Sequence, residues 1–168
     1  GQPNCNVFLW NGDTAQHRAC EFVELHKNDY YQFDWRQMAI WEKAIEICPY
    51  FAYPHREKAA PYVKAGNFIE WKKNIDKAVQ CAPRDYLSVR AATRYKFFAD
   101  YQGTLDDIVL LENLMQGEDI GPTSNGMYHL NIVKGLCLKA LGNRQAAIEA
   151  IEPQLAHEGH FEAQSAHL

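Results

Sequence analysis

The chain has 168 residues, of which 47% are hydrophobic and 23% are charged, as in an ordinary globular domain with a core of its own. Its net charge of −4 argues against a nucleic-acid-binding protein, which needs a basic face. No apolar run approaches the roughly 18 residues that cross a bilayer, so we predict no membrane span.

Residues 1–13 are predicted to form an irregular N-terminal extension that packs on the first helix through Phe8 and Trp10. The chain has five cysteines, but none of them forms a CxxC pair or clusters with histidines, so we predict no metal site and no cofactor. Cys5 and Cys20 could form a disulfide that ties the extension to the first helix. The alternative is five reduced, mostly buried thiols. An oxidised pair would favour an exported protein over a cytoplasmic one.

The first two helix pairs have clear start and stop signals. Asp13 or Thr14 can cap a helix over about 14–27, and a second helix over about 34–47 ends before Pro49. The next helix opens at Tyr53-Pro54, where a proline in the first turn costs no hydrogen bond. Pro61 should bend that helix, and Gly66 provides the left-handed turn into a second helix that contains Trp71, Ile75 and Ala78.

The third and fourth pairs are less regular. The third pair starts near Asp85, turns at residues 100–103 and continues through Leu111. A loop follows over 116–125, where Thr123 to Asn125 could cap the next helix. The fourth pair is predicted over about 126–156, with Pro153 kinking or ending its second helix. Residues 157–168 are expected to cover the end of the domain as a capping segment.

A fixed period connects these pairs. Trp41-Glu42-Lys43-Ala44-Ile45 precedes Pro49, and Ile75-Asp76-Lys77-Ala78-Val79 precedes Pro83, which lies 34 residues later. The two stretches agree column by column in the kind of residue. A constant period of this length is typical of helical repeat arrays, in which each hairpin buries its apolar faces against its neighbours.

The pattern resembles that of the tetratricopeptide repeat (TPR) family. Residues 52–83 supply the small, aromatic, glycine, alanine and proline positions of that signature in order: Ala59, Tyr62, Gly66, Phe68, Ile75, Ala78 and Pro83. Residues 128–151 supply a second, partial set: Gly135, Leu138, Gly142, Ala147 and Ile151. The resemblance implies an all-α fold over 14–156, a right-handed superhelical stack of about four antiparallel helix pairs. It also implies a non-enzymatic module that binds a protein or peptide segment in its concave groove.

By the same resemblance, the groove would be lined by inward positions of the first helix of each pair. These candidate partner-binding residues are Tyr53, Arg56, Leu87, Arg90, Arg94, Phe97, His129 and Lys139. Arg90 and Arg94 are four residues apart, so they leave the same face of a helix. With Arg56 they could clamp the carboxylate of an acidic or C-terminal peptide. Alternatively, they pair with nearby acids such as Glu57 and Asp85.

Catalytic patterns are weak in this sequence. His157-Glu158-Gly159-His160 is one residue too short for the zinc-protease helix motif, and Asp106-Asp107 is better explained by the start of a helix. Trp41 and Trp71 occupy repeat-core positions, which favours packing over sugar or base stacking. Two alternatives to the interaction module remain: a small-ligand binder or enzyme that uses the groove as a pocket, and a structural oligomer that stacks through its end faces.

Overall fold

The computed structural model describes residues 4–123 and 128–157, and within these ranges it is all-α, with nine helices packed in adjacent pairs and no β-strand. The helices are α1 (Asn6–Trp10), α2 (Thr14–His26), α3 (Trp35–Ile47), α4 (Ala52–Lys64), α5 (Phe68–Cys81), α6 (Pro83–Phe98), α7 (Tyr101–Met115), α8 (Leu130–Ala140) and α9 (Arg144–His157). The chain divides into two compact units, Gly1–Ala82 and Pro83–Leu168. No helix in the described ranges has both the length and the apolar character needed to cross a membrane.

The start of the first unit is more regular than the sequence suggests. A short helix, α1, replaces the irregular extension, because Cys5 and the residues after it adopt helical backbone angles. Cys5 is joined by a disulfide to Cys20 in the buried face of α2. The ring of Phe8 packs edge-on against Phe51, at 5.6 Å between centroids. Trp10, predicted to pack on the first helix, is instead 90% exposed.

Side-chain caps set the starts of α2, α3 and α5 in this unit. The carboxylate of Asp13 accepts from the backbone N–H of Gln16 at 2.9 Å, and Asn67 accepts from Glu70 at 3.1 Å. Each bond satisfies an N–H that the helix itself leaves without a partner. The predicted helices over 14–27 and 34–47 are confirmed to within one residue at each end.

The core of the first unit lies between α2, α3, α4 and α5. Trp41, Trp71 and Ile75 are buried there, which confirms that both tryptophans are packing residues. Ala78 has no exposed surface, so its methyl group lets neighbouring backbones approach closely. Leu25 keeps the helical spacing of the apolar residues in α2, but it lies on the outer face and is exposed.

Two predicted boundaries in the second unit are corrected by the structure. α6 begins at Pro83, whose missing N–H is harmless at a first helical position. The turn expected at 100–103 lies earlier, at Ala99, which has φ of +50°, and residues 101–103 already belong to α7. Asp100 caps α7 by accepting from the N–H of Gly103 at 3.0 Å, and a Cβ at Gly103 would collide with that carboxylate. Gly103 is therefore needed by the cap and does not mark a turn.

α8 and α9 form the last described pair. His129, rather than Thr123 or the residues after it, is the N-cap of α8. Gly135 lies against Ile151 and Ala147 of α9, so the two helices meet where α8 has no side chain. α9 continues past Pro153 to His157, so the proline does not end it. Residues 158–168, and with them the predicted capping segment, lie outside the described ranges.

Candidate partner-binding surface

The guanidinium of Arg90 binds the carboxylate of Asp107, on the facing helix α7. Its Nε donates to both carboxylate oxygens at 3.1 and 3.0 Å, and its Nη2 donates to Oδ1 at 2.7 Å. Asp107 is only 1% exposed. A buried carboxylate needs such charge-assisted bonds, because an uncompensated charge in this position would be strongly destabilising.

Arg94 completes the same cluster. Its Nη1 lies 3.0 Å from Oδ2 of Asp107 and also donates to the backbone carbonyl of Gly103 at 3.0 Å. Its Nε is 3.3 Å from the carboxylate of Asp100 as an ion pair, although the geometry does not make a hydrogen bond. Arg90, Arg94, Asp107 and Asp100 therefore form a structural clasp between α6 and α7.

The arginine clamp predicted from the sequence is therefore not supported. All three arginines have an intramolecular carboxylate, since Arg56 pairs with Glu57 at 2.8 Å in the first unit. Arg94 is also buried. The spacing of Arg90 and Arg94 put both on one face as expected, but that face is turned toward α7, where Asp107 holds both guanidinium groups.

The other predicted groove residues are dispersed. Leu87 is buried in the core, and Tyr53 packs against the ring of Trp41 at 6.2 Å between centroids. Phe97 and Lys139 are exposed, so of this set they stay open to a partner. Leu87, which was expected to line the groove, faces the protein interior and is not accessible to a partner.

His129 is buried, and both of its ring nitrogens bond to groups of the protein. Its Nδ1 accepts from the backbone N–H of Asn131 at 3.0 Å, so the proton sits on Nε2, which faces Oδ1 of Asp119 at 2.5 Å. This bond to His129 holds the pKa of the Asp119 carboxyl below its usual value. His129 thus closes the loop before α8 and does not present a ring to a partner.

A different surface stands out in the first unit, in the segment that connects α2 to α3 and at the first residue of α3. Tyr31 is 73% exposed, Phe33 is 40% exposed and Trp35 is 76% exposed. The rings of Tyr31 and Phe33 contact each other at 5.7 Å between centroids. A contiguous exposed apolar surface of this kind marks interaction sites more often than single exposed side chains do.

Two of these rings border a groove of about 480 Å³, which we call the aromatic groove. It is formed by Phe33, the N-terminal half of α3 and the C-terminal part of α4. Its lining residues are Phe33, Trp35, Met38, Ala39, Glu42, Pro61 and Tyr62. Glu42 contributes the single charge in this lining, and its side chain is 61% exposed.

The rings are held by two local devices. Gln37 is buried, accepts from the N–H of Tyr30 at 3.0 Å and donates to the carbonyl of Lys27 at 3.0 Å, which fixes the connecting segment to α3. Asp34 caps α3 and binds the guanidinium of Arg36 at 2.7 Å. Side-chain hydrogen bonding to Arg36 lowers the pKa of Asp34 to about 2. Phe33 and Trp35 flank this capping residue, so the backbone of both is anchored next to it.

Cations of the protein itself contact this region. The guanidinium of Arg36 lies over the ring of Tyr30 at 4.3 Å, and the Lys64 ammonium lies over Phe33 at 5.3 Å from the ring centre. Lys58 approaches Glu42 at 3.6 Å, which is longer than a hydrogen bond. The faces of aromatic rings carry negative potential, so they attract cations.

The sequence contained a signal for this surface that spacing arguments missed. Tyr30-Tyr31-Gln32-Phe33-Asp34-Trp35 is a dense aromatic run that spans the connection between the helices predicted over 14–27 and 34–47 and the first residues of the second helix. Connecting segments lie on the surface, so large aromatic side chains there require an explanation that packing does not provide.

The described residues contain no group of three or more His, Cys, Asp or Glu side chains placed to hold a metal ion. Among the cysteines outside the disulfide, burial raises the pKa of the Cys137 thiol to about 12, which keeps it protonated and a poor nucleophile. No protein-family model, curated protein or solved structure matches the chain.

Proposed function

We propose that the protein is a TPR-like, non-enzymatic interaction module, and that it binds a peptide or protein segment in the aromatic groove of its first unit. The observation that carries the proposal is the pair of exposed rings, Phe33 and Trp35, at the edge of an open groove. Aromatic side chains in such positions commonly supply most of the binding energy of an interface.

The repeat pattern supports the TPR-like part of the proposal. Gly66 turns the chain between α4 and α5 with φ of +68°, and Gly142 turns it between α8 and α9 with φ of +87°. Both glycines were placed at the turns of helix pairs by the sequence pattern. Pairs of adjacent helices joined in this way are the building unit of helical repeat proteins.

The dimensions and chemistry of the groove support a peptide. Its volume of about 480 Å³ is enough for a few side chains. Trp35 and Glu42 in its lining are largely exposed, so a segment of a longer chain can reach it from solvent. Met38 adds an unbranched, adaptable side chain to the lining, as is common at peptide-binding surfaces.

The proposed partner differs from the acidic or C-terminal peptide expected from the sequence. That expectation depended on Arg90 and Arg94, which already share Asp107. The charge in the lining of the aromatic groove is that of Glu42, so an acidic segment would be repelled there.

A display selection with random short peptides tests the proposal. The immobilised wild-type protein should enrich a common peptide motif, and Trp35→Ala should lose that enrichment. Trp10→Ala is the matched control, because Trp10 is 90% exposed in the same unit but does not line the groove. Enrichment that is absent with the wild type, or equal for the wild type and Trp35→Ala, would contradict the proposal.

A further inference from the structure

The lining of the aromatic groove favours a ligand of one charge. Phe33, Trp35 and Tyr62 contribute aromatic rings, and Glu42 contributes an open carboxylate. Ring faces carry negative potential, so the rings and the carboxylate favour the same sign of ligand. Both elements are complementary to a cation.

Two cationic side chains of the protein itself already contact aromatic rings in this region. Lys64 and Arg36 place their charged groups over Phe33 and Tyr30, at 5.3 and 4.3 Å from the ring centres. Neither contact uses the ring of Trp35, which is 76% exposed at the mouth of the groove. That ring remains available to a cation from outside.

Resting on the function proposed above, we propose that the segment bound in the aromatic groove presents a lysine or arginine side chain. Its charged end contacts the carboxylate of Glu42 and the ring of Trp35. Its aliphatic stem packs along Met38 and Pro61, as long cationic side chains do on apolar surfaces.

Lys58 is the internal competitor for Glu42. The two charges are 3.6 Å apart and both side chains are partly exposed, so their ion pair is weak. A partner cation that also gains a ring contact replaces Lys58 at little cost. Removing the Lys58 charge should therefore strengthen binding of a cationic probe.

The test uses a matched pair of small probes, Nα-acetyl-lysine methylamide and Nα-acetyl-norleucine methylamide. They have similar stems, and one ends in an ammonium where the other ends in a methyl group. Binding is followed by NMR, through the indole N–H of Trp35 and the methyl group of Met38. The lysine probe should bind about fivefold tighter than the norleucine probe, the size of effect expected for a cation at an exposed aromatic site.

Three variants assign that preference to the groove. Glu42→Gln should weaken the lysine probe about two- to fivefold, the range of an exposed ion pair, and leave the norleucine probe unchanged. Glu46→Gln, an exposed glutamate one turn further along α3 and outside the lining, is the control and should change neither. Lys58→Gln should tighten the lysine probe.

The outcomes separate this inference from the proposed function. Equal affinity for the two probes, or a lysine preference that survives Glu42→Gln intact, overturns the inference and leaves the groove as a binding site. A neutral sugar such as maltotriose that shifts the same signals while the lysine probe does not would also overturn it. If neither probe shifts the Trp35 signal at concentrations up to the probe's solubility limit, the inference fails. The display selection tests separately whether the groove binds a peptide at all.

Discussion

The two units place their chemically distinctive side chains in opposite environments. In the second unit, Asp107 is 1% exposed and holds Arg90 and Arg94 through short bonds. In the first, Trp35 and Glu42 are largely exposed, and Glu42 pairs with Lys58 at 3.6 Å, which is longer than a hydrogen bond. Charges that already satisfy each other inside a protein hold its helices together. Those that remain open to solvent can still bind a partner.

Sequence spacing cannot make this distinction by itself. The four-residue spacing correctly places Arg90 and Arg94 on one face of a helix, but it does not say what that face meets. The answer depends on Asp107, on the next helix, and on Gly103, which lets Asp100 cap that helix closely. Replacing single members of each region can break or sharpen this comparison.

The largest effect is expected for Asp107→Ala. It leaves two mostly buried guanidinium groups without their shared carboxylate, so the free energy of unfolding should fall by about 3–5 kcal/mol. Urea denaturation measures the change. The control is Asp106→Ala. Asp106 is next to Asp107 in the chain but is exposed, so this variant should lose no more than about 0.5 kcal/mol of unfolding free energy. Equal stabilities of the two variants would show that the clasp is not structural.

The disulfide comes next. Cys5 and Cys20 close a loop with a sequence separation of 15, and in the chain-entropy model a loop of that length stabilises the fold by roughly 3 kcal/mol. The double variant Cys5→Ser, Cys20→Ser should lose about that much in thermal or urea unfolding, whereas Cys81→Ser should lose far less. Peptide mapping without reductant should recover the linked pair. Two thiols that alkylate freely under those conditions would refute the bond.

A smaller loss is expected for Ala78→Leu in the core of the first unit. Ala78 has no exposed surface, so the added carbons would overpack the helix contact and cost about 1–3 kcal/mol. Gln80→Leu introduces the same new side chain at an exposed position of α5, where it has room, and should be nearly neutral. An unchanged melting temperature for Ala78→Leu would argue against close helix packing at this position.

The smallest effect concerns Asp34, which anchors the aromatic rings. Its pKa is lowered to about 2 by the side chain of Arg36, so its cap contributes stability above the unfolded pKa near 3.8. That contribution should be lost as the pH falls through about 2. NMR titration of the carboxyl group should find this low midpoint, and Arg36→Gln should raise it. Arg18→Gln, on the exposed side of α2, should leave it where it is.

Local signals predicted much of the fold. Helices α2 and α3 were correct because Asp13 and Pro49 act within a few residues of the helix ends. The turn at Ala99 was missed because glycine is a common turn residue, which placed the turn at Gly103. Gly103 instead lies inside α7 and donates its N–H to the capping carboxylate of Asp100. Pro153 was expected to disturb or end α9, but the helix continues to His157.

The candidate site could be predicted only in part. The aromatic run before α3 was visible in the sequence, yet its exposure depends on Gln37, whose buried amide fixes the connecting segment from within the next helix. Nothing in the residue type of Gln37 indicates that role. The groove also needs Pro61 and Tyr62 from α4, which only tertiary packing brings to α3.

Amide chemical-shift mapping with a peptide from the display selection tests the central claim most directly. If the first unit carries the partner site, shifts should concentrate at Phe33 to Glu42 and at Tyr62, and they should disappear in Trp35→Ala but persist in Trp10→Ala. Signals near Arg90, Arg94 and Asp107 should stay in place, because those groups are committed to one another. Shifts centred on the arginine clasp, with the groove unchanged, would contradict the account.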